Sequence, residues 1–441
     1  VPGFIARDTK GITTTLGRGG SDYTAAILAA ALDAEVLEIW TDVSGMMTAD
    51  PRITSNAKII PSISYQEAME LSHFGAKVIY PPTILPVMHK RIPVWIKNTF
   101  APQDHGTVIL PQDAVVEAHA HIARGISSIS KISLISLEGS GMVGIPGFSK
   151  RLFEALSNEK INVILITQSS SEHSISVAID SASAEIARHA VDTAFANEIA
   201  LQKVDPLKVE TDLTIVALVG ENMKNHTGIS GRLFYALGKN GVNIRAIAQG
   251  SSEKNISAVI NTSDVRKAIN VLHEEFFETT YKQVNVFLAG AGNVGKKLLD
   301  QIRQQQSFLA DQLRLQVRVV GIANSRKMLI NEEGVDLTAW SDPLDQAPAF
   351  ELNTFVSDIL HRNLRNAVFV DTTANESVAS VYDRLLEKSV AVVACNKIAA
   401  SSAYAHYRHL KECSREFNAP YLFETNVGAG LPVIGTLNDL L

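Results

Sequence analysis

Two stretches near the middle of the chain alternate apolar and polar residues at the period of a strand: ISLISLEG (132–139) and LTIVALVG (213–220). Each runs into a Gly-rich turn and then a segment with helical spacing, GFSKRLFEALSNEK and GISGRLFYALGKNG. Strand patterns follow (INVILITQ then SISVAI; VNIRAIAQ then NISAVI), and each set closes on an amphipathic helix, SAEIARHAVDTAF or SDVRKAINVLHEEF. The two sets align without a gap. They share Gly139/Gly220, Met142/Met223, Gly147/Gly228, the Arg-Leu-Phe-x-Ala-Leu helix, Asn162/Asn243 and Gln168/Gln249. The order strand–helix–strand–strand–helix, with an edge strand still to come, predicts a duplicated ferredoxin-like unit. Inside it a polar run also recurs, ITQSSSEHSIS (166–176) and IAQGSSEKNIS (247–257), differing at Ser169/Gly250 and His173/Lys254.

The flanking regions carry a different pattern. On the N-terminal side, TTTLGRGGSDYTAAILAAALDA places a Gly-rich turn before a helix with Ser21 or Asp22 as its expected N-cap. Such a turn lets N–H groups and the helix dipole face an anion, with Arg18 adding charge. Asp22 at the same mouth suits an ammonium group or a metal-bound phosphate. On the C-terminal side, VNVFLAGAGNVGKKLLDQI reads as strand, Gly290-x-Gly292-x-x-Gly295, helix, the dinucleotide turn. The next strand is expected to end near Ala323, followed by Asn324, Ser325, Arg326 and Lys327. Without an acid there, and with two cations, NADP is favoured over NAD. Strands within 366–375 and 391–399 place Thr372, Thr373 and Lys397 at the carboxyl edge of that sheet.

Polar linkers at 101–123, 202–212 and 274–285 divide the chain into segments of domain or half-domain size. The full organisation expected is an α/β multidomain protein with units over 1–112, 124–201, 206–280, 284–420 and 421–441. A net charge of −6 argues against nucleic acid as a partner, because neutralising phosphates needs a basic face. No apolar run approaches the roughly 18 residues of a membrane span. VPGFIARDTK is not a signal peptide, and Cys395 and Cys413 are too few for a disulfide framework or a zinc cluster, so a cytoplasmic setting is expected, or plastid stroma in a plant.

GRGGSDYTAA, WTDVSG, TADPR and FGAKVIYPPT resemble, in order and spacing, the C-terminal half of the aspartokinase domain in the amino-acid kinase superfamily. The resemblance implies transfer of the ATP γ-phosphate, with Mg, to the β-carboxylate of aspartate. Arg18, Ser21 and Asp22 would then face aspartate and the reacting phosphates, and Thr41, Asp42, Met47, Arg52, Lys77 and Val78 would line the ATP site. Met47 stands where the family commonly has Tyr. The duplicated unit resembles ACT domains, with Asn162, Gln168, Asn243 and Gln249 implied as holders of an amino-acid effector such as threonine. The closing FETNVGAGLPVIG is similar to a homoserine dehydrogenase, which reduces aspartate semialdehyde to homoserine. That likeness implies Gly290, Gly292, Asn293, Val294, Gly295, Ala323, Asn324, Arg326, Thr372, Thr373 and Lys397 at the cofactor, and sodium on Glu424, Val427, Ala429 and Leu431. CNKIA replaces the family's PNKKA, keeping Lys397 but not the second lysine. The whole order resembles the bifunctional aspartokinase–homoserine dehydrogenase family of threonine and methionine synthesis, expected as a symmetric dimer or tetramer. Neither the kinase's Lys-Phe-Gly-Gly segment nor the dehydrogenase's acid–base groups occur, so the chain reads as an internal piece inactive in both reactions. The competing expectation is an amino-acid-sensing regulatory module flanked by vestigial catalytic domains.

Overall fold

The computed structural model describes residues 3–440 except 74–77, 116–121, 170–172, 222, 224–225, 250–253, 278–281 and 429. The chain forms two compact units. One comprises residues 1–231 with 243–269, and the other 232–242 with 270–441.

The first unit opens with a short hairpin, β1 (Ile5–Arg7) and β2 (Thr13–Thr15), and then helix α1 (Gly20–Ala31). Next come β3 (Leu37–Thr41), β4 (Ser62–Ser64), α2 (Tyr65–His73), α3 (Pro81–Lys90), β5 (Val94–Asn98) and β6 (Thr107–Leu110). The four longer-range strands make one sheet in the order β3-β5-β6-β4. Ile39, Ile63, Leu71, Ile84, Val87, Val94, Ile96 and Ile109 fill its core.

The repeat begins on β7 (Gly125–Glu138), followed by α4 (Phe148–Asn158), β8 (Val163–Gln168), β9 (Ser174–Asp180), α5 (Ala184–Ala194) and a short α6 (Ala196–Ala200). Then come β10 (Lys208–Val219), α7 (Ile229–Lys239), β11 (Ile244–Ala248), β12 (Asn255–Asn261) and α8 (Val265–Phe277). The elements fall where the alternation places them, except that β7 starts seven residues before the expected Ile132 and β10 reaches back to Lys208, inside the expected linker 202–212. The edge strands do not come from within each copy. A single six-stranded sheet runs β11-β12-β10-β7-β9-β8, and its two central strands are shared. Residues 125–129 of β7 pair with 215–219 of β10, completing the second copy, while 208–210 of β10 pair with 134–136 of β7, completing the first. Each long strand breaks at the crossing. Lys131 (φ 61°) and Asp212 (φ 57°), at equivalent positions of the two copies, adopt the left-handed conformation. A non-glycine residue there costs about 1 kcal/mol or more, and the pairing on either side compensates it.

In the second unit, β13 (Lys282–Ala289) leads through the glycine turn into α9 (Asn293–Leu313) and β14 (Leu315–Ala323). With β15 (Met328–Ile330), β16 (Ala367–Asp371), β17 (Ala391–Ala394) and β18 (Tyr421–Leu422), these make a sheet of order β15-β14-β13-β16-β17-β18. All neighbours are parallel except β15 on β14, the doubly wound arrangement expected of a nucleotide-binding domain. Phe287, Phe355, Phe369, Tyr382, Leu385 and Val392 form one core face, and Leu288, Leu299, Val319 and Ile322 the other. β17 ends at Ala394, with a short helix beginning at Ile398, so the strand is shorter than the apolar run 391–399 suggests.

Candidate functional site

The glycine turn of the second unit has the geometry that an anion-binding turn requires. Gly290 sits at φ 103°, a conformation that favours glycine. At Gly295 a Cβ would stand 2.1 Å from the Gly290 carbonyl oxygen, so only glycine lets α9 close on β13 there. Gly292 is the N-cap of α9 and has open space where a Cβ would go. Asn293 and Val294, in the first turn, are exposed beside it. The Thr372 hydroxyl donates to the Gly290 carbonyl at 2.6 Å, joining the end of β16 to this turn. Gly290 and Ala291 both donate to the Ala323 carbonyl at 2.8 and 3.0 Å, which ties the turn to the end of β14.

Past Ala323, the side-chain oxygen of Asn324 accepts from the Arg326 and Lys327 N–H groups, both at 2.8 Å. Lys327 Nζ is spent on the Ala347 carbonyl at 2.8 Å, whereas Arg326 stays exposed. The two cations expected at this edge thus reduce to one. Thr372 and Thr373 are half-buried, and Lys397 is exposed at the N-cap of the short helix Ile398–Ser401. Below them lies a network that the sequence reading missed. The fully buried Asp371 accepts from Tyr382 Oη (2.6 Å), Asn396 Nδ2 (3.0 Å) and the Thr373 N–H (2.7 Å). Burial, with the Asp371 carboxylate beside it, pushes the Tyr382 hydroxyl far above its usual range and keeps it a donor. The signal was present: VFVDTT and VVACNK each end an apolar strand on a polar side chain.

Glu424 has both carboxylate oxygens on N–H groups of one helix, Ile434 at 2.8 Å and Gly435 at 2.8 Å, and so caps Val433–Leu440. The Leu431 carbonyl accepts from Val433 at 2.9 Å, Val427 is exposed, and Ala429 lies outside the described residues. Carboxylate and carbonyl oxygens are the donor set of a hard cation, and each of these keeps a second lone pair. Elsewhere in this unit Glu387, His409 and Cys413 bring ligand atoms within 4.8 Å of one another. Burial and neighbouring acids hold that thiol protonated, and the 3.6 Å contact with His409 Nε2 reads as its hydrogen bond.

In the first unit, α1 starts earlier than expected. Its N-cap is Gly19 (φ 67°), without a side-chain cap, which places Ser21 and Asp22 in the first turn rather than before it. A Cβ at Gly19 would meet the Tyr80 side chain at 2.5 Å, so close packing selects glycine and moves the cap. Partial burial pushes the Asp22 carboxyl up, and a hydrogen bond with Ser21 offsets part of this. Arg18 is exposed at the same turn. Thr41 ends β3, its hydroxyl 3.1 Å from the Asp42 carboxylate. Met47 pairs through its backbone with Ile59, and Arg52 is held on Asp50 at 2.6 Å. Val78 is half-buried, and Lys77 lies outside the described residues.

In the repeat, Gln168 ends β8, and Gln249 directly follows the matching β11. Asn162 and Asn243 precede those strands, and all four side chains are exposed. Gln249 Oε1 accepts from Ser230 Oγ at 2.9 Å.

Fold and sites together define an amino-acid kinase segment, a pair of fused regulatory domains and a Rossmann-type nucleotide domain. The chain matches the amino acid kinase family over residues 1–98, the ACT domain over 135–195 and 216–276, and the homoserine dehydrogenase NAD-binding domain over 290–424. It is 43% identical to a bifunctional aspartokinase/homoserine dehydrogenase of Haemophilus influenzae over 440 residues, covering 100% of this chain and 53% of the relative. It is 40% identical to a chloroplastic one of Zea mays, again over 100% of this chain and 48% of the relative. Among solved structures, aspartate kinase of Clostridium acetobutylicum superposes with TM-score 0.56 at 34% identity, covering 62% of each chain. E. coli aspartokinase III in complex with aspartate and ADP gives 0.53 at 35%, covering 63% of this chain and 60% of that one. Bifunctional aspartokinase/homoserine dehydrogenases thus match the whole length of this chain, and the chain spans about half the length of the curated relatives it matches.

Proposed function

We propose that this chain is the ATP-side, regulatory and cofactor-binding portion of an enzyme that phosphorylates aspartate at its β-carboxylate and reduces aspartate semialdehyde to homoserine. The observation that carries the reading is the glycine turn of the second unit. Gly290 and Gly295 pack without room for side chains, Gly292 leaves the α9 N-terminus open, and Arg326 is exposed just past the end of the neighbouring strand.

The cofactor, NADP by this reading, supplies the hydride when bound. Gly290, Gly292, Asn293, Val294 and Gly295 would face its pyrophosphate with N–H groups and the helix dipole. Arg326 would meet a 2′-phosphate beyond Ala323, while Asn324 shapes its own turn. Thr372, Thr373 and Lys397, positioned by the Asp371–Tyr382–Asn396 network, would line the floor toward the nicotinamide. Sodium on Glu424 with the carbonyls of Val427, Ala429 and Leu431 is part of the proposal and would use lone pairs that the helix cap leaves over.

In the kinase segment, Thr41, Asp42, Met47, Arg52, Lys77 and Val78 would hold ATP with Mg, and Arg18, Ser21 and Asp22 would face aspartate. The ADP and aspartate complex named for the E. coli relative supports that reading. A further structure of that relative, in complex with lysine and aspartate and in a T-state, supports an amino-acid effector on the ACT pair. For this chain the effector proposed is threonine, held by Asn162 and Gln168 or by Asn243 and Gln249, in a homodimer or homotetramer.

Fluorescence titration with NADPH and NADH tests the reading. NADPH is expected to bind about tenfold tighter, and Arg326→Ala to remove that preference while leaving NADH binding within about twofold, the loss of one charge-assisted contact. Equal affinity of the unaltered chain for both would overturn the NADP assignment, and no binding of either would overturn the dehydrogenase reading.

A further inference from the structure

We propose that Glu387, His409 and Cys413 form a zinc site on the second unit, a tetrahedral centre with water as its fourth ligand.

His409 and Cys413 lie four residues apart on the helix Tyr404–Glu416, which sets their side chains one turn apart on one face. Paired metal ligands on a single helix use this spacing. Glu387 is the C-cap of the helix Tyr382–Leu386, and its N–H donates to the Asp383 carbonyl at 2.9 Å. The turn that follows is tied to the cysteine's helix. Ser389, at φ 57°, donates its N–H to the Leu386 carbonyl and its hydroxyl to the Phe417 carbonyl, both at 2.9 Å. Leu385, Leu386 and Leu410 are fully buried in the same core cluster as Cys413. The backbone positions of all three ligands are therefore set by packing and hydrogen bonds before an ion arrives.

The separations suit a shared ion. Cys413 Sγ is 3.6 Å from His409 Nε2, and one ligand atom from each of the three residues lies within 4.8 Å of the others. With Zn–S near 2.3 Å and Zn–N near 2.0 Å, a tetrahedral angle holds sulfur and nitrogen about 3.6 Å apart. Nδ1 lies at 3.9 Å, and the exposed His409 ring is able to turn Nε2 toward the ion.

Sulfur, imidazole nitrogen and carboxylate oxygen make a mixed set that selects zinc over magnesium or calcium, which take oxygen ligands. One cysteine suffices when His and Glu complete the set. Without a metal, burial and the carboxylates of Glu387, Asp383 and Glu416 keep the proton on sulfur. Binding of Zn²⁺ breaks the S–H bond, forms the S–Zn bond and releases the proton to water. The carboxylates that oppose a bare thiolate then favour the dication. Glu387 precedes β17 and Cys413 precedes β18, both parallel strands, so the site lies at the edge of the sheet opposite the glycine turn. There the ion would clip two helices together and touch no reacting group.

Cobalt(II) titration of the reduced full chain, followed by absorbance, tests this, together with competition of zinc against a chromophoric chelator. One cobalt ion per chain is expected to give a thiolate-to-cobalt charge-transfer band in the near ultraviolet, and zinc to abolish it by binding tighter than about 10 µM. Cys413→Ser should remove the band and weaken zinc at least about 100-fold, while Cys395→Ser should change neither. His409→Gln, at an exposed position where folding is not at stake, should weaken zinc at least about tenfold and alter the visible cobalt bands. Absence of the band, or unchanged zinc affinity in His409→Gln, would overturn the site and leave only a thiol–imidazole hydrogen bond. Loss of the band in Cys395→Ser would put the metal on the other cysteine and overturn it equally.

Discussion

The two copies of the repeat share their sequence framework and differ in what their ends rest on. In the first copy Arg151 lies over the Phe195 ring at 4.3 Å and forms an ion pair with Glu198 at 2.6 Å. In the second, its counterpart Arg232 lies over Phe276 at 4.8 Å and pairs with Glu275 at 2.8 Å. The framework glycines also behave alike. A Cβ at Gly139 would meet the Lys203 carbonyl oxygen at 2.3 Å, and one at Gly220 the Ile122 carbonyl oxygen at 2.5 Å. The copies differ at many positions, and among those differences Glu221, Lys254 and Asn255 are polar residues that bond helix α2 of the kinase segment. Duplication preserves the packing, and surface substitutions between copies assign each a different neighbour.

The largest expected effect comes from breaking the buried pair found on one side only. Arg124→Met would leave Glu67 buried against a lost charge, and should lower stability in urea unfolding by about 3–5 kcal/mol. Ser140→Ala, at the exposed first-copy counterpart of Glu221, should change it by less than about 0.5 kcal/mol. Comparable losses in both would erase the asymmetry. Next come the shared glycines: Gly139→Ala and Gly220→Ala should each cost about 1–3 kcal/mol, since both force backbone apart. A large cost in one and none in the other would mean the copies are packed differently after all. At the proposed effector residues, Ser230→Ala frees the Gln249 side chain and should weaken threonine binding about threefold by calorimetry, while Ser149→Ala, its first-copy counterpart, should have no measurable effect. The smallest effect is the stability change in Lys254→Met, less than about 1 kcal/mol because the side chain remains partly solvated at 23% exposure. A loss of several kcal/mol there would make the Lys254–Glu221 pair as structural as the buried one at Glu67.

Much of this was legible beforehand because it is local. Period-2 alternation located β8, β9, β11, β12 and the later parts of β7 and β10, the 3.6-residue spacing located α4, α5, α7 and α8, and Gly290-x-Gly292-x-x-Gly295 marked the dinucleotide turn. A glycine turn needs only the residues that make it. The shift of the α1 cap from Ser21 to Gly19 shows the limit, since Tyr80, remote in sequence, decides which residue can sit there.

What the sequence determined by itself, then, is the order of elements, the duplication and the residue types at each sheet edge, because backbone geometry and apolar periodicity act over a few residues at a time. Only the tertiary structure decided that β7 and β10 each serve both copies, turning at Lys131 and Asp212, two residues with no glycine to mark the break. It alone brought Asp371, Tyr382 and Asn396 together beneath the cofactor edge, and joined Glu67 to Arg124 and Gln66 to Lys254. These pairings link residues tens to nearly two hundred positions apart, and a charge or hydroxyl reveals its role only when burial removes water as its alternative partner.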